Sequence, residues 1–275
     1  MITCGVDVGA GSTKAVLLED GKRLLATTWL PTKGQTSVAA KTAIETLTRD
    51  ANLLPDEIAS ICSTGFGRYS VEERNLQVSD ITSSARGAVF LHPAARHVLD
   101  IGTQSSRAIA INERGRVLKF KMNEKCAAGA GRFVERCSKY LQVPPEDMGA
   151  RACLATNPRT ISSVCAVLAE TEIINYIAEE VPVQDILMGI FMSLAERGHA
   201  LMKNVGIQPD VVLVGGLVQS AGMVEALRRT TGLEVHVDPR MHHAAAIGAA
   251  MLAHMRLEKT RGGTPSMPAS GRGMA

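Results

Sequence analysis

Aromatic residues are scarce in this 275-residue chain, at 3% of the total, and Trp29 is the sole tryptophan. With so few rings, stacking platforms for bases or sugars are not expected. Long apolar runs are missing too: none approaches the ~18 residues of a membrane-crossing helix. Charge of one sign is nearly cancelled, with 30 Lys and Arg against 27 Asp and Glu. The surplus of +3 lies in Lys259, Arg261 and Arg272, within a terminal segment that holds no acid. The body of the chain is neutral, so neither nucleic acid nor membrane is expected as a partner. Six cysteines are too few for a disulfide framework at this length, and residues 1–7 carry no basic stretch like that of a secretory leader. Reduced thiols in a cytoplasmic setting are the expectation.

Apolar matter is plentiful: 45% of residues are hydrophobic and 21% charged. That supports one large domain or two of about 130 residues with a sizeable core. The opening reads as strand, turn, strand: residues 2–7 are apolar and extended, 9–12 are a Gly-rich turn, and 14–18 resume the strand. Gly21 then closes a hairpin toward residues 22–28. The same pattern recurs 93 residues later, with Asp7 on Asp100, Gly9 on Gly102, Ser12 on Ser105 and Lys14 on Arg107. After one inserted residue, Gly21 falls on Gly115. Two structurally similar halves, each opening on an Asp-bearing hairpin, are therefore expected.

Helical apolar spacing covers residues 37–51, and 58–63 read as a short strand before the loop Thr64-Gly-Phe-Gly-Arg68. That loop borders the nucleotide cleft, faces a partner or is a plain glycine turn. Further helices are expected over 130–141, 164–179, 182–203, 221–230 and 244–255, with strands at 211–214 and 234–237. The Gly/Pro/Ser-rich segment 259–275 reads as a disordered tail. The adjacent His242 and His243 read as solvated loop residues, and Gly248 as a small residue that lets the last helix pack closely.

An Asp at a strand end followed by a Gly-rich hairpin suits a nucleotide. Glycines let backbone N–H groups approach phosphate oxygens, and a carboxylate can hold Mg²⁺ through water. Ser12, Thr13 and Lys14 add hydroxyls and charge to the same turn. Two such hairpins, with a strand–Gly215-Gly216–helix unit, could enclose a triphosphate and lay adenosine on the glycine backbone. The set resembles the acetate-kinase, sugar-kinase, heat-shock-chaperone and actin (ASKHA) superfamily. That resemblance spans nearly the whole chain and implies an α/β fold of two ribonuclease-H-like domains closing on ATP. Residues 1–97, completed by the helix at 244–256, would form the first, and 98–243 the second. By the same similarity Asp7, Asp100 and Gln104 would organise Mg²⁺ and the attacking water. Gly9, Ala10, Gly11, Ser12, Thr13 and Lys14, with Gly102 and Thr103, would hold the phosphates, and Gly215, Gly216 and Leu217 the adenosine.

Four cysteines (Cys4, Cys62, Cys137 and Cys153) read as buried or idle thiols. Cys126 and Cys165 differ, because each lies near the start of an expected helix, where N–H groups and the dipole favour a thiolate. They are 39 residues apart, without the close spacing of a single-chain zinc or ferredoxin site. Two cysteines cannot complete a four-thiolate site, so any iron–sulfur cluster here needs a second chain. This pattern resembles the ATPase electron activators of 2-hydroxyacyl-CoA dehydratases and ATP-dependent benzoyl-CoA reductase. In that family one 4Fe-4S cluster bridges two ASKHA-fold subunits. Residues 85–96 and 165–172 are most similar to the small, delta-type ATPase subunit of benzoyl-CoA reductase. Homodimeric activators carry Asp-x-Gly-Gly-Gln-Asp at loop two, whereas this chain reads Asp100-Ile-Gly-Thr-Gln-Ser105, which suits a non-identical partner.

The resemblance thus implies an ATP-hydrolysing subunit that takes electrons from ferredoxin and shares its cluster with a homologous ATPase subunit. A separate subunit pair would bind the acyl-CoA and reduce the aromatic ring. Three alternatives stay open: a dehydratase activator, an N-acetylhexosamine-type kinase of the same fold, and an actin-like or chaperone-like nucleotide switch.

Overall fold

The computed structural model describes residues 1–123 and 131–262. Among these, the strands form two five-stranded sheets of one topology. In the first, β1 (Ile2–Val8), β2 (Ser12–Glu19), β3 (Arg23–Pro31), β4 (Ile58–Thr64) and β5 (Leu76–Gln77) lie in the order β3-β2-β1-β4-β5. In the second, β6 (His97–Ile101), β7 (Ser106–Ile111), β8 (Val117–Asn123), β9 (Val211–Gly215) and β10 (Val235–His236) lie in the order β8-β7-β6-β9-β10. Each sheet starts with an antiparallel meander of three strands and then adds parallel neighbours to its first strand. The halves expected from the sequence repeat are present in the hydrogen-bond register itself. Asp7 pairs with Lys14, and Asp100 with Arg107. Gly9 and Gly102 each donate a backbone N–H back across the turn, to Ser12 and Ser105. Gly21 and Gly115, which close the second hairpins, share a φ of +64° that favours glycine.

Strand alternation decides what each face of the first sheet meets. Ala15 and Leu17 point to α1 (Thr36–Asp50), where they pack with Ala40, Ala43 and Leu47. Val16 and Leu18 point the other way, to Ala246, Ile247 and Ala250 of α8 (Ala244–Gly262). The C-terminal helix therefore covers a sheet built from the first residues of the chain. In the second sheet α6 (Val183–Val205) is buried along most of its length against β7, β8 and α7 (Ala221–Thr231).

Expected and observed elements agree closely at α1, β4, α6, β9 and α7. Two helices form where the apolar pattern predicts none: α2 (Asp80–Leu91) and α4 (Pro145–Ala152). The first of these is rich in Ser, Thr, Ala and Gly, so its apolar stripe is faint, but Ser79 caps it by accepting from the Thr82 N–H. The expected tail also begins too early, because residues 259–262 continue α8. Thr260 bonds back to the Arg256 and Leu257 carbonyls there, and no glycine or proline intervenes before Gly262. No helix among the described residues is long and apolar enough to cross a membrane.

Candidate functional site

The ends of β1 and β6 point into one cleft between the two sheets. Its first chamber, about 510 Å³, is lined by Asp7, Gly9, Ala10, Ser12 and Lys14 from the first hairpin. Asp100, Gly102, Thr103 and Gln104 come from the second, and Gly215 and Gly216 from the end of β9. A second chamber of about 660 Å³ adjoins it, sharing Ser12, Gly102, Thr103 and Gly216. Gly11 and Leu217 line this one, facing Pro145, Gly149 and Phe191. Of the hairpin residues, Thr13 lines neither chamber. Strand alternation turns it to the core side with Ala15, where its hydroxyl lies 3.0 Å from that of Thr32.

Each carboxylate is backed by a glycine on the neighbouring parallel strand. Asp7 is in register with Thr64, and Gly65 follows with φ +88°. Asp100 is in register with Val214, and Gly215 follows with φ +94°. A Cβ on Gly65 would lie 2.5 Å from the Asp7 Oδ1, and one on Gly215 would lie 2.8 Å from the Asp100 Oδ1. Any side chain would therefore strike the acid from behind. The Thr64-Gly-Phe-Gly-Arg68 loop is thus the first half's counterpart of Gly215-Gly216, and Gly65, Phe66 and Arg68 line the cleft.

Electrostatics distinguish the two acids. Asp7 lies 3.6 Å from the Lys14 ammonium. Burial pushes its carboxyl above the usual carboxylate range; Lys14 pulls against this, while Asp100 and Asp80 add to it. Asp100 accepts from Ser84 Oγ at 3.1 Å and from Arg107 at 3.2 Å. Arg107 also pairs with Asp80 in the first turn of α2. Asp80, Ser84 and Arg107 were outside the expected set. The repeat did flag Arg107, which stands where Lys14 stands in the first half. Asp80 and Ser84 were hidden because they belong to the helix that the apolar pattern failed to reveal.

The histidine pair is a correction. His242 is buried in the cleft wall and His243 half-buried, with the Trp29 ring edge-on to His242 at 6.1 Å. Burial, with Lys14 nearby, pushes His242 down to about 3 and His243 to about 4, so both are neutral. Nothing in the local sequence showed that β2 and β3 would close over them.

Of the two thiols singled out, Cys126 lies outside the described residues. Cys165 is the N-cap of α5 (Ala166–Ala178) and is partly exposed. Backbone N–H groups of Leu168 and Val167 lower its pKa. By contrast, burial pushes Cys4, Cys62 and Cys137 up to about 12, while Cys153 is exposed. Around Cys165 a face of Val164, Val167, Leu168 and Ile174 is left open to solvent. The donor chemistry at Cys165 fits a metal–sulfur centre: an accessible thiol held toward its thiolate.

Loop two is joined to this helix. Gly131 and Arg132, which open α3 (Gly131–Leu141), donate their N–H groups to the carbonyls of Gly102 and Thr103 at 2.9 and 2.8 Å. One turn on, Arg136 pairs with Glu170 of α5 at 2.6 Å, and Tyr140 reaches the same carboxylate at 3.2 Å.

The family model of the BadF/BadG/BcrA/BcrD ATPase family matches residues 4–253. The chain is 36% identical over 259 residues to an activator of lactoyl-CoA dehydratase from Anaerotignum propionicum, covering 94% of this chain and 100% of that one. It is 36% identical over 271 residues to a subunit of benzoyl-CoA reductase from Thauera aromatica, covering 94% and 95%. Among solved structures, the activator of the 2-hydroxyisocaproyl-CoA dehydratase from Clostridium difficile with bound ADPNP superposes with a TM-score of 0.90. It is 32% identical and covers 98% of this chain and 100% of that one. A ROK family glucokinase from Streptomyces griseus shares only the fold, with a TM-score of 0.58 at 16% identity and coverage of 93% and 100%. The architecture is the α/β ASKHA fold.

Proposed function

Because the chain belongs to the BadF/BadG/BcrA/BcrD ATPase family, we propose that it hydrolyses ATP to drive low-potential electron transfer to an acyl-CoA enzyme. The observation that carries this reading is the hydrogen-bonded path from loop two through α3 to the helix capped by Cys165. In this reading, a change in the phosphate loop passes along that path to the thiol end of α5.

In this reading the triphosphate lies in the first chamber, against the backbone of Gly9–Ser12 and Gly102–Gln104. Adenosine lies in the second chamber, beside Gly216 and Leu217, with Gly215 on the side of the first. Asp7 and Asp100 would hold Mg²⁺, which when bound offsets phosphate charge, and Gln104 would help to orient the attacking water. Asp7, at the end of β1 in the cleft, is placed to take that water's proton. Lys14 and Arg107 set one cation against each acid and offset charge developing on the phosphates.

Cys126 and Cys165, with two thiolates from a homologous ATPase subunit, would hold a 4Fe-4S cluster, which when bound supplies one-electron storage at low potential. The open apolar face of α5 is where that homologous partner docks. Ferredoxin is the electron donor, and a separate subunit pair binds the acyl-CoA. We assign benzoyl-CoA as the acceptor, because Ser105 replaces the acid of homodimeric activators at loop two. The relatives that activate 2-hydroxyacyl-CoA dehydratases support that class as the second reading.

The test is an anaerobic iron and acid-labile sulfide assay on the purified complex, beside Cys126→Ala and Cys165→Ala. Loss of the cluster in both variants with nucleotide binding intact is expected. Equal iron in all three would overturn the role of these thiols. Feeding reduced ferredoxin and ATP to the complex with benzoyl-CoA or a 2-hydroxyacyl-CoA then separates the two acceptors.

A further inference from the structure

Three potential metal ligands meet at the far end of α2, away from the cleft: His92, Asp210 and His236. They come from three separate parts of the chain. His92 caps the C-terminus of α2, Asp210 immediately precedes β9, and His236 lies in the edge strand β10. The Nε2 atoms of His92 and His236 lie 3.6 and 3.4 Å from the Asp210 Oδ1. The two imidazoles stack with centroids 4.2 Å apart and planes 26° from parallel, which brings both nitrogens to the same carboxylate. One ligand atom from each residue lies within 4.8 Å of those of the other two.

The supporting backbone is fixed. Asp210 takes a left-handed φ of +63°, and its carbonyl accepts from the Arg96 and His97 N–H groups at 3.1 and 3.4 Å. The His92 N–H is tied to the Ala88 carbonyl at 2.8 Å. Yet the His92 Nε2 is buried without a hydrogen-bond partner, an arrangement that costs free energy unless something accepts its lone pair or its proton. A divalent ion answers that need and lets one carboxylate serve two imidazoles. Two imidazole nitrogens and one carboxylate oxygen, partly open to solvent, suit a borderline ion of the zinc type with water completing a tetrahedron.

We propose that His92, Asp210 and His236 form a transition-metal site, with Zn²⁺ as its ion, that ties α2 and the short strand β10 to the start of β9. The site is separate from the nucleotide cleft, since α2 spans roughly 18 Å at ~1.5 Å per residue. Its ion would steady the helix whose first half carries Asp80 and Ser84 against the Arg107–Asp100 pair.

Cobalt provides the test, because it reports its own ligands. The full chain is stripped with chelator and titrated anaerobically with Co²⁺, beside His92→Gln, His236→Gln and Asp210→Asn. Asparagine tolerates the left-handed backbone at 210, so that variant keeps the fold while removing the charge. The expected result is a one-to-one visible d–d spectrum without a thiolate charge-transfer band. Each variant should weaken it by about a hundredfold or more, since outer-shell partners alone are worth about 10- to 100-fold. Zn²⁺ should displace the cobalt and raise the melting temperature of the parent chain but not of the variants. No d–d spectrum at millimolar Co²⁺ would overturn the proposal. So would a spectrum unchanged in all three variants, or one with thiolate bands that disappears in Cys165→Ala.

Discussion

Lys14 and His242 line the cleft, with the His243 ring 5.2 Å from that of His242, and burial there bears on how the protein responds to acid. In the unfolded chain a histidine titrates at about 6.5. In the fold His242 is held at about 3 and His243 at about 4, by burial and by the neighbouring ammonium. Below pH ~6.5 the unfolded state therefore binds protons that the folded state refuses, and stability falls with pH until about 4 and 3 are passed. Above pH ~6.5 neither residue contributes. His242→Gln should flatten the acid side of the stability curve, measured as melting temperature between pH 7.5 and 5. Curves that run parallel to the parent would sink this account. Asp7, Lys14 and Asp100 were legible in the sequence because a strand, a glycine turn and a basic residue stand in fixed order. His242 was not, since its burial depends on Trp29 and Lys14 of another segment.

The helices α2 and α8 cross so closely that small residues are a steric requirement. A Cβ on Gly87 would sit 1.8 Å from the Ala244 carbonyl oxygen, and one on Gly248 would sit 1.9 Å from that of Ser83. Gly5 in β1 meets the same restriction from the Ala246 carbonyl, at 1.9 Å. Because the obstacle is backbone, it cannot rotate aside. Gly87→Ala and Gly248→Ala should each destabilise the protein at the upper end of the ~1–3 kcal/mol typical of overpacking, read as a lower urea midpoint. A midpoint unchanged by either substitution would mean that the helices can part at no cost. Gly248 was legible as a close-packing residue. Its partner helix was not, because a helix rich in Ser, Thr, Ala and Gly shows little hydrophobic periodicity.

Across the whole molecule, the two hairpin turns approach until Gly11 faces Thr103, with room for no side chain: a Cβ would lie 2.3 Å from the Thr103 hydroxyl. A nucleotide that touches both turns holds the halves together and binds only the folded form. Mg²⁺ with a non-hydrolysable ATP analogue at a hundred times its Kd should add about 2.7 kcal/mol of stability. Asp100→Asn and Gly11→Val should lose most of that gain, the first through the metal and the second by forcing the turns apart. Equal nucleotide stabilisation in the parent and both variants would remove the cleft from the binding site. The apolar face of α5 belongs to this scale as well. Val167→Asp with Leu168→Asp should weaken assembly with the homologous ATPase subunit proposed as its partner, followed by sedimentation, while leaving nucleotide stabilisation intact.

The sequence by itself determined the repeated hairpin, in which Asp7 and Lys14 match Asp100 and Arg107, and a helix start near Cys165. These are local matters of strand period, turn chemistry and capping, which a short stretch of chain carries complete. Tertiary structure alone decided that Gly65 and Gly215 stand behind the two acids. It also decided that α2 brings Ser84 to Asp100, and that three distant residues converge at His92, Asp210 and His236. Each of these depends on which strand lies beside which, and on a C-terminal helix returning to cover the first sheet. Such contacts join segments far apart in the chain, and no local pattern of residues encodes them.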